Sequence, residues 1–98
     1  MTYRKRTNPD SALYRAFLEL KTPEECYNFM QDLCTASELK AMEQRFEVAW
    51  LLEQGMIYSD ILAQTGASTA TISRVNRSLN DYGTGAYRVL FARLKEND

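Results

Sequence analysis

Residues 58–82 read YSDILAQTGASTATISRVNRSLNDY, two apolar-patterned segments joined at a glycine. Ile61 and Leu62 lead into Gly66, and beyond it Ile72, Val75 and Leu79 recur at spacings of three and four. That spacing stacks the three side chains on one face of a helix. Ser68 is placed to cap this second helix, because its hydroxyl can accept a free backbone N–H of the first turn. Gly66 can enter the left-handed region, end the first helix and turn the chain sharply. Helix, glycine turn and helix make a helix-turn-helix.

The outer face of the second helix carries Thr69, Ala70, Thr71, Ser73, Asn76, Arg77 and Asn80, none of them acidic. A solvated helix usually mixes Glu with Lys. Short hydroxyl and amide side chains instead allow close approach, and with guanidinium groups they can bond bases and phosphates. The plainer alternative is an αα-hairpin in a small globular domain.

The chain around this element is 98 residues long, which fits one domain. A lone chain of that size buries a modest core, yet 45% of the residues are hydrophobic and 11% aromatic. Part of that apolar surface is expected to meet a second subunit. With only 4 glycines and 2 prolines, and with apolar groups recurring at helical rather than alternating spacing, the fold class is all-α with six helices. The first helix is expected to open at Asn8 and Pro9, and to present Leu13, Tyr14, Phe17, Leu18 and Leu20. The second starts with Thr22 as cap and Pro23 at its first position, and presents Cys26, Phe29, Met30 and Leu33. Thr35 and Glu38 have capping-box spacing and open the longest helix, about 36–54, which becomes apolar nearly all round at Val48, Trp50, Leu51 and Leu52 and stops at Gly55. A core role suits Trp50 better than a cofactor role. Gly83 is expected to end the second helix of the motif, and a last helix runs from about 85 to 95 with Tyr87, Leu90, Phe91 and Leu94 on its apolar face. Residues 8–55 form the expected dimerisation helices, 57–82 the helix-turn-helix and 84–96 the C-terminal helix.

The formal net charge of −1 does not point to a generic polyanion binder, so contact with nucleic acid has to rest on local charge. Residues 66–82 contribute Arg74 and Arg77 against the single acid Asp81, while Glu24, Glu25, Glu38, Glu43, Glu47 and Glu53 lie elsewhere. Arg4, Lys5 and Arg6 form a second basic cluster, read as a mobile solubilising arm, with a phosphate-contacting arm as the alternative. Cys26 and Cys34 would stand roughly 12 Å apart on one helix, too far for a disulfide. They read as buried, reduced thiols of a cytoplasmic protein. With no histidine, neither a Ser-His or Cys-His nucleophilic pair nor a usual zinc site can form. The glycines lack phosphate-loop spacing, so an enzyme is not expected. No apolar run has the length of a membrane span.

Residues 35–79 resemble the Trp repressor superfamily. The similarity is carried by Gly66, Ala67, Ser68, Thr69, Ala70, Thr71, Ile72, Ser73 and Arg74, then by Asn76, Arg77, Ser78 and Leu79. Upstream it continues through Thr35, Glu38, Ala41, Arg45, Leu51, Leu52 and Gly55. The Thr-Ile-Ser-Arg part also recurs in other helix-turn-helix proteins, transposase-type ones included. The chain looks more like the small Trp-repressor-like proteins of bacteria than the tryptophan-responsive repressor.

The resemblance implies an intertwined homodimer of six-helix chains, with two reading heads on a pseudo-palindromic double-stranded operator. It implies base or phosphate contacts from Ser59, Thr69, Ala70, Thr71 and Ser73, with Arg74 and Arg77 on phosphates. It also implies a place for a tryptophan-like corepressor between Arg45 and Arg74, with Thr35 and Ser78 near the ligand's polar ends. Surface ion pairs to Glu47 or Asp60 are the alternative for the two arginines. Val75 departs from the family, whose ligand-responsive members have glycine there, and one residue fewer separates Gly55 from Gly66 than in those members. Asp60 stands where basic or amide side chains meet phosphate, so weaker, more salt-sensitive binding is implied. The function expected is a sequence-specific transcriptional regulator, read as a repressor; a helical protein-interaction module without DNA and a ligand-gated sensor are the alternatives.

Overall fold

The computed structural model describes residues 8–97, so the basic cluster Arg4, Lys5 and Arg6 lies outside the described residues. Six helices and no strands occur among them: α1 (Ala12–Phe17), α2 (Pro23–Leu33), α3 (Ala36–Glu53), α4 (Tyr58–Thr65), α5 (Thr69–Asn80) and α6 (Ala86–Glu96). The all-α expectation therefore stands. The chain divides into two compact units, with the break between Ala36 and Ser37.

In the first unit α1 is shorter than its apolar pattern implies. Asn8 caps a turn rather than the helix: its side-chain Oδ1 accepts the Asp10 N–H at 2.8 Å, and its carbonyl accepts the Ser11 N–H at 2.9 Å. This is the local bonding that makes Asn a turn former, and the helix starts only after Ser11. It stops at Phe17, leaving Leu18 83% exposed beyond its end. The start of α2 is as the sequence predicts. Thr22 Oγ1 accepts the Glu25 N–H at 3.1 Å, Pro23 takes the first position, and Glu25 Oε1 reaches back to the Lys21 N–H at 2.9 Å. The return bond lands one residue before the cap, a shifted form of the capping box. Phe17 meets Phe29 edge-on at 5.3 Å and 83°, the orientation favoured by ring quadrupoles. Neither α1 nor α2 buries a single residue. The two thiols are free, but Cys26 is exposed and Cys34 half-buried, which corrects the expectation of buried cysteines.

The second unit holds the core. Val48, Ala49 and Leu51 of α3, Ile61 of α4, Ala67 of the turn, Ile72, Val75 and Leu79 of α5 and Phe91 of α6 form one buried cluster. Phe91 is its aromatic hub, with ring centroids 5.1 Å from Trp50, 5.5 Å from Phe46 and 5.8 Å from Tyr87. Trp50 is thus a packing residue, and Lys95 Nζ lies 5.9 Å over its ring, within cation–π range. At the end of α3 the Gly55 N–H bonds the Leu52 carbonyl and the Met56 N–H bonds the Leu51 carbonyl, at 3.0 and 3.1 Å. This is the Schellman pattern expected at a glycine stop.

The end of α5 differs from expectation. The helix stops at Asn80 with Asp81 as cap, and the Arg77 carbonyl accepts from both the Asp81 and Tyr82 N–H groups. Gly83 is not in the left-handed region. Its glycine identity has a steric cause instead, because a Cβ there would stand 1.7 Å from the Ser78 carbonyl oxygen. Gly83→Ala should therefore push the 81–85 connection off α5 and cost about 1–3 kcal/mol, the usual range for overpacking. Urea unfolding would check it; an unchanged midpoint would refute the close approach.

Candidate nucleic-acid interface

The turn between α4 and α5 is fixed by side chains as well as by glycine. Gly66 has φ 75° and its N–H bonds the Leu62 carbonyl at 2.9 Å, so it ends α4 in the conformation that glycine adopts without a Cβ clash. Thr65 then braces both sides. Its hydroxyl donates to the Ile61 carbonyl at 2.7 Å and accepts the Ala67 N–H at 3.1 Å. Gln44 Nε2 of α3 donates to the Thr65 carbonyl at 3.3 Å. Sequence reading missed Thr65 and Gln44. A threonine one helical turn after Ile61 and just before the glycine was the available signal, since threonine bonds back to the carbonyl four residues earlier.

Ser68 caps α5. Its Oγ accepts the Thr71 N–H and donates to Thr71 Oγ1, both at 3.1 Å. Thr71 Oγ1 thus receives one bond and keeps its own proton for an outside acceptor. The first turn of α5 contains no acid and its last turn contains Arg77. The positive end of the helix dipole is therefore not offset by a carboxylate. The first turn of α4, by contrast, holds Asp60.

The structure gathers six of the seven candidate reading residues on α5 and places the seventh, Ser59, on α4. Thr69, Ala70, Arg74 and Arg77 are exposed, Thr71 and Ser73 half-buried, and Ser59 exposed in the first turn of α4. Opposite them, Ile72, Val75 and Leu79 are buried. The exposed face is thus the face that sequence periodicity assigns.

The candidate ligand residues fall in both units. Thr35 lies in the first unit, whereas Arg45, Arg74 and Ser78 lie in the second. Arg45 and Arg74 are both exposed. Neither pairs with Glu47 or Asp60; the ion pair found among the described residues is Arg88 Nε to Glu53 Oε1 at 3.4 Å. Ser78 lines an apolar cavity of about 230 Å³ with Phe46, Leu79, Tyr87 and Leu90, and neither arginine reaches its wall. Val75, 3% exposed, is packed into the core cluster. Among the described residues there is no cluster of His, Cys, Asp and Glu able to hold a metal, and no helix is long and apolar enough to cross a membrane.

The Trp repressor protein family matches residues 11–95. YerC of Bacillus subtilis (strain 168), an uncharacterized protein, is 51% identical over 86 residues, 88% of this chain and 82% of that protein. A Staphylococcus aureus crystal structure, provisionally described as a Trp repressor, superposes with a TM-score of 0.81 at 47% identity, covering 85% of this chain and 82% of that one. The crystal structure of a TrpR-like protein from Eubacterium eligens ATCC 27750 gives the same TM-score, 0.81, at 53% identity, covering 85% and 84%.

The cap on α5 is testable alone. Ser68→Ala removes the acceptor of the Thr71 N–H and should cost about 1 kcal/mol, read from the shift in the urea midpoint. A neutral substitution would mean that solvent replaces the cap without loss.

Proposed function

The chain belongs to the Trp repressor protein family, and on that premise we propose that it is a homodimeric, sequence-specific DNA-binding regulator of transcription. Its output in this reading is repression, and its place of work the cytoplasm. Helix α5 enters the major groove N-terminal end first. Thr69, Thr71 and Ser73 supply hydroxyls to bases or phosphates, Ala70 a methyl for a thymine methyl, Arg74 and Arg77 charge for phosphates, and Ser59 a contact from α4.

The observation that carries this reading is the division of α5 into two faces. One face is held by the core through Ile72, Val75 and Leu79. The other offers short polar and basic side chains with no acid. A helix so divided can be pressed against a polyanion without losing its packing.

The homodimer is supported by the first unit. Leu13, Tyr14, Phe17, Leu18, Tyr27 and Leu33 are all exposed there, and no residue of α1 or α2 is buried. Ordering a residue costs about 1–2 kcal/mol of backbone entropy, which helices with so little burial do not recover alone. A second copy offering the same apolar faces supplies the missing burial.

For corepressor binding, the burial of Val75 favours a site filled by protein side chains. We therefore propose that DNA binding proceeds without an indole ligand between Arg45 and Arg74. Addition of tryptophan should leave the melting temperature unchanged. A stabilisation approaching about 2.7 kcal/mol at a hundredfold excess over a dissociation constant would reinstate Thr35, Arg45, Arg74 and Ser78 as ligand residues.

Thr71→Glu tests the reading face directly. Ser68, Thr69, Ala70 and Glu at 71 would spell a capping box, so α5 stays well capped, while the new carboxylate faces phosphate. The variant should keep its helicity and oligomeric state and lose binding to the duplex that the parent protein selects from a random pool. Retained binding would exclude α5 as the reading element.

A further inference from the structure

We propose that Asn76 donates a hydrogen bond to a DNA backbone phosphate, and that Arg88 on α6 is the positioning residue that turns the Asn76 amide for that contact. The inference rests on the DNA-binding reading above. A guanidinium can only donate hydrogen bonds. Arg88 donates through Nη2 to Asn80 Oδ1 and through Nε to Glu53 Oε1 at 3.4 Å. With its oxygen committed, Asn80 turns its Nδ2 along the helix and donates to Asn76 Oδ1 at 2.6 Å. Asn76 in turn has its oxygen engaged by Asn80, which leaves its NH2 group as the unpaired end of the chain. The direction of the chain follows from the donor-only group at its head. An acceptor there would reverse both amides and leave an oxygen outermost.

This polarity selects the target. Bidentate reading of adenine by asparagine needs both the amide oxygen and the amide nitrogen. The Asn76 oxygen already accepts from Asn80, so an adenine contact would have to share that acceptor, whereas the Asn76 nitrogen has no partner among the described residues. A phosphate oxygen, which only accepts, is its complement. Position agrees with chemistry. Thr69, Ser73, Asn76 and Asn80 follow one another at spacings of four, three and four and so form one row along the helix. Asn76 sits past the middle of α5, whereas base contacts in a helix-turn-helix come from the N-terminal residues of the reading helix. Side chains further along meet the groove wall. Arg88 therefore acts at a distance: Glu53 of α3 anchors it, and it orders an amide two links away.

The test uses the full chain and a duplex it selects, with affinities from fluorescence anisotropy. Asn76→Ala and Arg88→Met should each weaken binding about three- to tenfold, the yield of one hydrogen bond, and to the same degree on matched and mismatched duplexes. Arg88→Lys, still donor-only, should bind like the parent. The double variant Asn76→Ala/Arg88→Met should bind no more weakly than Asn76→Ala alone. Arg88→Met should also keep the parent's salt dependence. Additive losses, a loss confined to the matched site, or a salt slope lowered by about one in Arg88→Met would each overturn the proposal; the last would make Arg88 itself the phosphate contact. The relay can be read without DNA, from hydrogen exchange of the side-chain amides. Asn80 NH2 should exchange more slowly than Asn76 NH2, and Arg88→Met should abolish the difference. Equal rates in the parent protein would overturn the relay. A protein with the slow Asn80 amide that selects no duplex would overturn the phosphate contact through the DNA-binding reading, with the relay intact.

Discussion

Burial of one row of side chains, Ile72, Val75 and Leu79, sets what every other part of α5 can do. These three residues lock the helix to α3, α4 and α6 through a single apolar cluster in which Phe91 and Ile61 are fully enclosed. With the inner face fixed in this way, the outer face has no part in the apolar core and can be composed for contact. A short polar side chain on a loosely held helix would lose rotational freedom on binding. On a helix already fixed from behind, most of that loss has been met by folding. The same logic explains the bracing of the turn. Gly66, Thr65 and Gln44 hold the start of α5 relative to α4 and α3, and Arg88 holds its far end relative to α6 and α3. Two polar clamps, one at each end, thus flank the apolar row.

Most of the fold was legible because it depends on short-range rules. The spacing of Ile72, Val75 and Leu79, the Ser68 cap, the Gly66 turn and the Thr22 and Pro23 start of α2 are all written in residues within one or two helical turns of one another. The parts that were misread depend on contacts between distant atoms or on competition between local bonds. Asn8 followed by Pro9 fits a helix start as well as a turn, and only the bond from Asp10 N–H to Asn8 Oδ1 decides between them. Gly83 fits a helix stop by type, but its role is to clear the Ser78 carbonyl, a contact invisible to pattern reading. The cysteines were expected inside because cysteine is usually buried, yet α2 has no core of its own to bury them in.

The candidate reading face was legible for a related reason. Its signal is an absence of acid combined with apolar periodicity on the opposite side, both properties of a twelve-residue segment. The polar network behind it was not. Glu53, Arg88, Asn80 and Asn76 span three helices, and nothing in their spacing marks them as partners. The proposed ligand residues were likewise beyond local rules, because a pocket is defined by what surrounds it. Val75 shows the consequence: one branched side chain, at a position where the resemblance implies glycine, is absorbed by the core.

If the first unit, with no buried residue in either of its helices, is completed by a second copy, this protein's behaviour is tied to its abundance. In a homodimer whose protomers complete one another's core, folding and assembly are one equilibrium, and the folded fraction depends on total protomer concentration. At low copy number the active species then rises with the square of the protomer concentration rather than in proportion to it. Such a regulator would respond to a twofold change in its own synthesis with up to a fourfold change in operator-competent dimer, a built-in amplifier that requires no ligand.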